Sequence, residues 1–266
     1  MLIIFNISLK MKNKLNKIFS KIRNKCFVDH LSEIDLRYIE EIRCYSSEDL
    51  MDVKSVEKLL LKLGTNDEIL TEIPVEFHKY CGFGLKYWQY PSQFSQYLCF
   101  LSKYKISSYL EIGIRYGGIF ILTLEYLKRF QAIKEAIGIE VLFNKSLSKY
   151  SKFNNVSKFI KIDSTSEEFS SLINDKKFDL VFSDGNHDED YCRKDSNILK
   201  EKSKILVVRN IISDACSGVQ KIYMEIKRNY YNKFNFYEIN QQYDSIFKLY
   251  GKKYFGIGEA AMYIWI

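Results

Sequence analysis

From residue 108 to the C-terminus the chain alternates short apolar runs with amphipathic helical stretches, and this alternation constrains the fold more than any other feature. The apolar runs at 108–114, 136–141, 158–162, 178–183, 205–208, 234–239 and 260–266 read as strands. Helical patterns such as 120–130, 188–200 and 218–230 lie between the first six. Strand, crossover helix and strand make a right-handed unit, and repeated units build a parallel sheet with helices on both faces. No clear helix separates the last two runs, which suits an antiparallel, hairpin-like ending. The expected architecture is α/β: a doubly wound, mostly parallel seven-stranded sheet over 81–266 with an antiparallel C-terminal strand, preceded by a helical extension over 1–80.

Ligands of an open α/β sheet bind beyond the carboxyl ends of its strands, where the strand order reverses. This chain places an acid at that end four times in succession: Glu111, Glu140, Asp163 and Asp184. The first follows a buried strand and precedes a glycine-bearing turn, Glu111-x-Gly113-x-x-x-Gly117-Gly118, that opens a helix. A dinucleotide fingerprint needs glycine where Arg115 stands, so a nicotinamide cofactor is disfavoured. Glu140 has the position to accept hydrogen bonds from two ribose hydroxyls, and Asp163, followed by Ser164, from an exocyclic adenine amine. Acids in this pattern suit an adenosine carrying a cation, whereas a nucleoside triphosphate would call for basic residues and phosphate loops.

The glycine stretch resembles motif I of the class I S-adenosylmethionine (SAM) methyltransferases. A second stretch, Phe178-Asp-Leu-Val-Phe-Ser-Asp184-Gly-Asn-His187-Asp-Glu-Asp-Tyr191, resembles the branch that holds macrocin-type sugar O-methyltransferases and cephalosporin-hydroxylase-like proteins. The resemblance covers roughly 81–266 and implies a Rossmann-like fold with SAM as cofactor. It also implies Asp184 as a metal ligand or acceptor-orienting carboxylate, and His187 as general base. A hydroxyl is a weak nucleophile that must lose its proton as the methyl group arrives, so a neutral imidazole suits the task. Alignment of donor and acceptor supplies about 7–11 kcal/mol of such a barrier and a base about 10²–10⁴-fold, so positioning should dominate.

One position departs from the pattern. Metal-dependent relatives carry further acidic or amide ligands after the fifth strand, where this chain has Arg209-Asn210. Asn210 retains an oxygen that would join Asp184 around magnesium. Arg209 would either stand in for the ion's charge, holding Asp184 or an anionic acceptor, or point away; the metal therefore stays open. The leading function is SAM-dependent O-methylation of a small molecule, with a sugar or nucleotide-linked sugar as acceptor. The alternative is a non-catalytic binding subunit that keeps the fold and has lost the metal site. Adenine-methylating nucleic-acid enzymes carry Asn/Asp-Pro-Pro-aromatic after the fourth strand, and Ser183-Asp-Gly-Asn186 is not that.

Composition narrows the partners. The net charge of +7 is concentrated in residues 1–30, which hold seven basic residues and one acid. The rest is nearly neutral and gives no reason to expect a nucleic-acid partner. Residues 11–27 form a basic amphipathic helix that would dock on its own domain or a second subunit, or touch an anionic membrane surface. No apolar run reaches the ~18 residues of a spanning helix. Six dispersed cysteines, without zinc spacing, read as thiols of a cytoplasmic protein. His30 and His78 lack a second ligand at metal spacing. Ser46-x-x-Asp49 reads as the capping box of a helix running to Gly64. Tyr87, Trp88 and Tyr90 would line an acceptor pocket or belong to the core. A homo-oligomer stays open.

Overall fold

In the computed structural model, residues 33–70, 73–243, 248–249, 252–253 and 256–263 are described. The basic stretch 11–27 and His30 lie outside them. At the centre is β1 (Ser108–Ile112), flanked by β2 (Glu135–Glu140) and β4 (Phe178–Ser183), both parallel to it. Strand β3 (Ser157–Lys161) pairs with β2, and β5 (Ser203–Arg209) pairs with β4, again parallel. β4 and β5 are apolar runs buried along most of their length, as strands covered on both faces must be. The chain then adds β6 (Asn235–Ile239), a short hairpin of β7 (Lys248–Leu249) and β8 (Lys252–Lys253), and β9 (Glu259–Tyr263). β9 inserts antiparallel between β5 and β6, giving the order β3-β2-β1-β4-β5-β9-β6. The order reverses between β1 and β4, which fixes where a ligand crevice opens.

The helices are α1 (Ile39–Cys44), α2 (Ser47–Met51), α3 (Val53–Leu63), α4 (Pro91–Leu101), α5 (Gly118–Leu127), α6 (Lys145–Phe153), α7 (Glu167–Leu172), α8 (Glu189–Lys202) and α9 (Ser217–Tyr230). Residues from Ile34 onward form one compact unit, so α1–α3 share a body with the sheet. The single helix expected after Ser46 is two. Ser46 accepts from the Asp49 amide, but Asp52 leaves helical geometry and its carboxylate accepts from the Ser55 amide, starting a second helix. α3 ends at Gly64 with φ 80°, and its buried Val56, Leu59, Leu60 and Leu63 face inward. His78 Nε2 lies 3.2 Å from the Ile73 carbonyl, a local structural contact.

Candidate active site

The loop after β1 depends on two close approaches. Gly113 has φ 81°, and a Cβ there would lie 2.1 Å from the Asp184 carbonyl oxygen. A Cβ on Gly118 would lie 2.1 Å from the Leu85 carbonyl oxygen. Both glycines therefore let protein backbone, rather than a cofactor, pass close. Gly117, at φ 91°, is the N-cap of α5 and has its nearest neighbours at 3.6 Å or more. Glu140, ending β2, pins the loop: Oε2 accepts from the Arg115 amide (2.9 Å) and Oε1 from the Val141 amide (2.8 Å). Asn144 completes the clamp, donating from Nδ2 to the Arg115 carbonyl while Oδ1 caps α6. Sequence reasoning passed over Asn144, although its N-cap position before α6 was a usable signal.

Glu111 is 1 % exposed and accepts a hydrogen bond from the Tyr109 hydroxyl. Burial pushes its carboxyl up to about 8, and the nearby Asp184 adds to the rise. At neutral pH most of it is uncharged. On the far side, Asp163 Oδ1 accepts from the Thr165 amide and hydroxyl, both at 2.8 Å. Buried Ser164 hydrogen-bonds to Asp195 of α8, whose own carboxyl burial lifts to about 6. Asp195 also lies against Gly185, where a Cβ would meet its Oδ2 at 3.4 Å. The β3 and β4 loops are thereby tied together through Asp195 of α8.

Asp184 is the hub of the other group. Its Oδ2 pairs with Arg209 Nη1, while Oδ1 lies 3.3 Å from His187 Nε2 and 3.2 Å from Asn210 Nδ2. Burial opposes its charge, but Arg209 and His187 outweigh that and hold the carboxyl below its usual range. Asn210 reaches back because its backbone is left-handed, φ 65°, a region asparagine tolerates better than most residues. Arg209 is 5 % exposed; its Nη2 donates to the Trp88 carbonyl and its Nε has no partner. The guanidinium thus takes up Asp184 through one nitrogen only.

This geometry bears on two readings that the sequence left open and corrects one expectation. Asn210 presents its amide nitrogen to Asp184 and His187, and Arg209 occupies Asp184, so these residues do not fit a metal ion. Among the described residues no group of three His, Cys, Asp or Glu side chains could hold one. Tyr87 and Tyr90, each 1 % exposed, are core: Tyr87 stacks on Phe94 at 5.7 Å, and Tyr90 packs edge-on to Tyr243 at 5.5 Å. Trp88 is partly buried and acts through its carbonyl on Arg209. His187 is not a neutral imidazole of ordinary pKa. Burial disfavours its charge, but Asp184 on one nitrogen and Cys216 on the other override it and push it up to about 10. Nδ1 lies 3.3 Å from Cys216 Sγ, a contact that nothing in the local sequence announced.

No protein-family model matches the chain, and neither does any curated protein. Solved structures do match. Its neighbours include methyltransferases. The SAH-bound methyltransferase PaMTH1 of Podospora anserina is 12 % identical over 94 % of this chain and 96 % of that one, with a TM-score of 0.47. The O-methyltransferase TomG of Streptomyces achromogenes, in complex with SAM, is 15 % identical over 66 % and 81 %, TM-score 0.45. MycE, from the mycinamycin pathway and solved with Mg and SAH, is 15 % identical over 68 % and 50 %, TM-score 0.43. Likeness at this level carries no functional argument, and the site's own geometry has to supply it.

Proposed function

We propose that the protein is a SAM-dependent O-methyltransferase acting on a hydroxyl of a small molecule. The observation that carries this is Glu111, a buried carboxyl at the reversal of strand order, beside a glycine loop pinned by Glu140. A buried acid that burial keeps largely neutral gains most from a cation, and the sulfonium and ammonium groups of SAM are cations. Glu111, with the loop of Gly113, Gly117 and Gly118, would hold the amino-acid end. Glu140 would hold the ribose, and Asp163 with Ser164 the adenine. SAM supplies an electrophilic methyl group when bound. The chain's own residues would orient the acceptor and take up its proton: His187 becomes the accepting ring once it has released the proton that Asp184 and Cys216 stabilise, and Arg209 keeps Asp184 charged. Because Arg209 already neutralises Asp184, the reaction uses no divalent ion. A sugar or nucleotide-linked sugar as acceptor follows from the resemblance of the β4 stretch. Among the described residues no helix is long and apolar enough to cross a membrane. The five described cysteines are free thiols, which suits a reducing, cytoplasmic compartment.

The test is thermal stabilisation by SAM or its demethylated product against NAD, then transfer of labelled methyl to a sugar and nucleotide-sugar panel. Stabilisation by SAM and turnover lost in His187→Ala are expected. Stabilisation by NAD alone would sink the proposal.

A further inference from the structure

A narrow cleft opens between the carboxyl ends of β4 and β5 and helices α8 and α9. Asp184, His187, Arg209 and Asp195 supply its charged lining, and Val208, Val219 and Ile222 an apolar one. Two of the charged side chains are buried and yet incompletely satisfied: Arg209, 5 % exposed, has no partner for Nε, and Asp195, 3 % exposed, has none for Oδ1. Other contacts hold both groups in place. Nη1 and Nη2 of Arg209 go to Asp184 and the Trp88 carbonyl, and the Asp195 carboxyl bonds to Ser164. Leaving a buried donor or acceptor unmet is costly, most of all on a charged group, and native proteins keep few such atoms. Here one donor and one acceptor stand on residues of the same cleft.

The charges of that lining cancel. Burial opposes ionisation of Asp184, but Arg209 and His187 hold it charged; despite burial, Asp184 and Cys216 push His187 up to about 10, so it keeps its proton at neutral pH. Burial lifts the Asp195 carboxyl only to about 6, which leaves most of it ionised at neutral pH. Two cations therefore stand with two anions, and a charged guest would lose its water without gaining an unmatched counter-charge. A neutral guest with hydroxyl groups fits better. One O–H donates to Asp195 Oδ1, and the oxygen of another accepts from Arg209 Nε. The aliphatic side chains suit a guest whose remaining surface is C–H.

We propose that this cleft binds a neutral polyol with one apolar side, and that Asp195 and Arg209 Nε set its specificity. Asp195 accepts from one hydroxyl, Arg209 Nε donates to another, and Val208, Val219 and Ile222 meet the C–H surface. Of the two acceptors named above, the uncharged sugar is the one such a cleft takes. A further hydroxyl of the same guest is then the one that gives its proton to His187. That the guest is the methyl acceptor rests on the function proposed above, whereas its binding does not.

The probe is cis-1,2-cyclohexanediol, titrated at neutral pH into the full-length protein without SAM and followed by NMR, with cyclohexanol and cyclohexanecarboxylate as matched analogues. The diol should bind about tenfold or more tighter than either, since cyclohexanol leaves one buried group unmet and the carboxylate brings an unmatched charge. Ring protons of the diol should show contacts to the methyl groups of Val208, Val219 and Ile222. Asp195→Asn, whose amide can keep the Ser164 contact, leaves one more cation than anion in the cleft, so the carboxylate should gain on the diol by about tenfold. No binding of the diol, equal binding of diol and cyclohexanol, or contacts to methyl groups elsewhere overturns the proposal without reliance on any variant. So does an unchanged ratio of diol to carboxylate binding in Asp195→Asn with a native melting curve. Selective binding with no methyl passed from SAM to the diol supports the site and overturns only the reading of its guest as the acceptor.

Discussion

Glu111→Gln should abolish a pH-dependent loss of stability. The Glu111 carboxyl moves from 4.5 to about 8 on folding, which corresponds to about 5 kcal/mol at about 1.4 kcal/mol per pH unit. The sign follows from proton counting. Between these values the folded protein keeps the proton and the unfolded chain has released it, so stability falls as pH rises from about 4.5 to about 8 and that contribution is flat above. Glutamine cannot ionise and can still accept the Tyr109 hydroxyl. Urea unfolding of both proteins from pH 5 to 9 measures the effect. The stability of the unmutated protein minus that of the variant should fall by several kcal/mol across the range. Taking the difference cancels His187, whose raised value gives a decline of the same sign, present below about 6.5 and lost as pH rises through about 10. A difference flat with pH would refute the reasoning. Ligand binding offers a second readout. If the SAM cation meets Glu111, binding at pH 7 releases close to one proton, visible in calorimetry as a dependence on buffer ionisation heat. In Glu111→Gln that dependence should vanish.

Arg209→Met should destabilise the protein by about 3–5 kcal/mol in thermal or urea unfolding, because it strips Oδ2 of the buried Asp184 carboxylate of its guanidinium and leaves only the Oδ1 contacts to His187 and Asn210. Arg209→Lys should recover little, since one ammonium cannot serve both Asp184 and the Trp88 carbonyl as the planar fork does. Log kcat/KM for methyl transfer should rise with unit slope through neutral pH and bend only near about 10, where His187 loses its proton; His187→Ala should abolish that limb. A strong chelator should leave the rate unchanged, and activity lost to chelator and restored by magnesium would contradict the Arg209–Asp184 pairing. Gly118→Ala should cost several kcal/mol, because its Cβ has only 2.1 Å to a backbone oxygen and neither side can yield cheaply; an unchanged melting temperature would refute this.

The parallel strands were legible because burial on both faces writes itself as nearly continuous apolar runs: 178–183 and 205–208 need no tertiary context to read as strands, although β5 itself extends to Ser203–Arg209. The acids at the carboxyl ends were legible for a related reason, since a strand's end is the one place where a charge follows directly on such a run. Tyr87 and Tyr90 were not decidable. An aromatic side chain suits a core and a pocket equally, and only the packing of Phe94 and Tyr243 against them settles which. The break at Asp52 was hidden because its carboxylate competes as a cap inside an otherwise continuous apolar stripe. His187 was misjudged in charge rather than position. Its proton affinity is set by Asp184 from β4 and Cys216 from the start of α9, residues that sequence spacing does not place on opposite sides of one ring.

The most informative departure is Arg209, because a guanidinium is not merely a substitute for an ion's charge. A divalent ion would bind Asp184 and leave the segment at 87–90 free of it. Arg209 instead spans from Asp184 to the Trp88 carbonyl, so the carboxylate that orients His187 also anchors that segment to the sheet. Evicting the guanidinium would strand a buried cation and a buried carbonyl together, a cost that entry of an ion does not recover. The base and the segment ending at Trp88 are consequently held by one carboxylate.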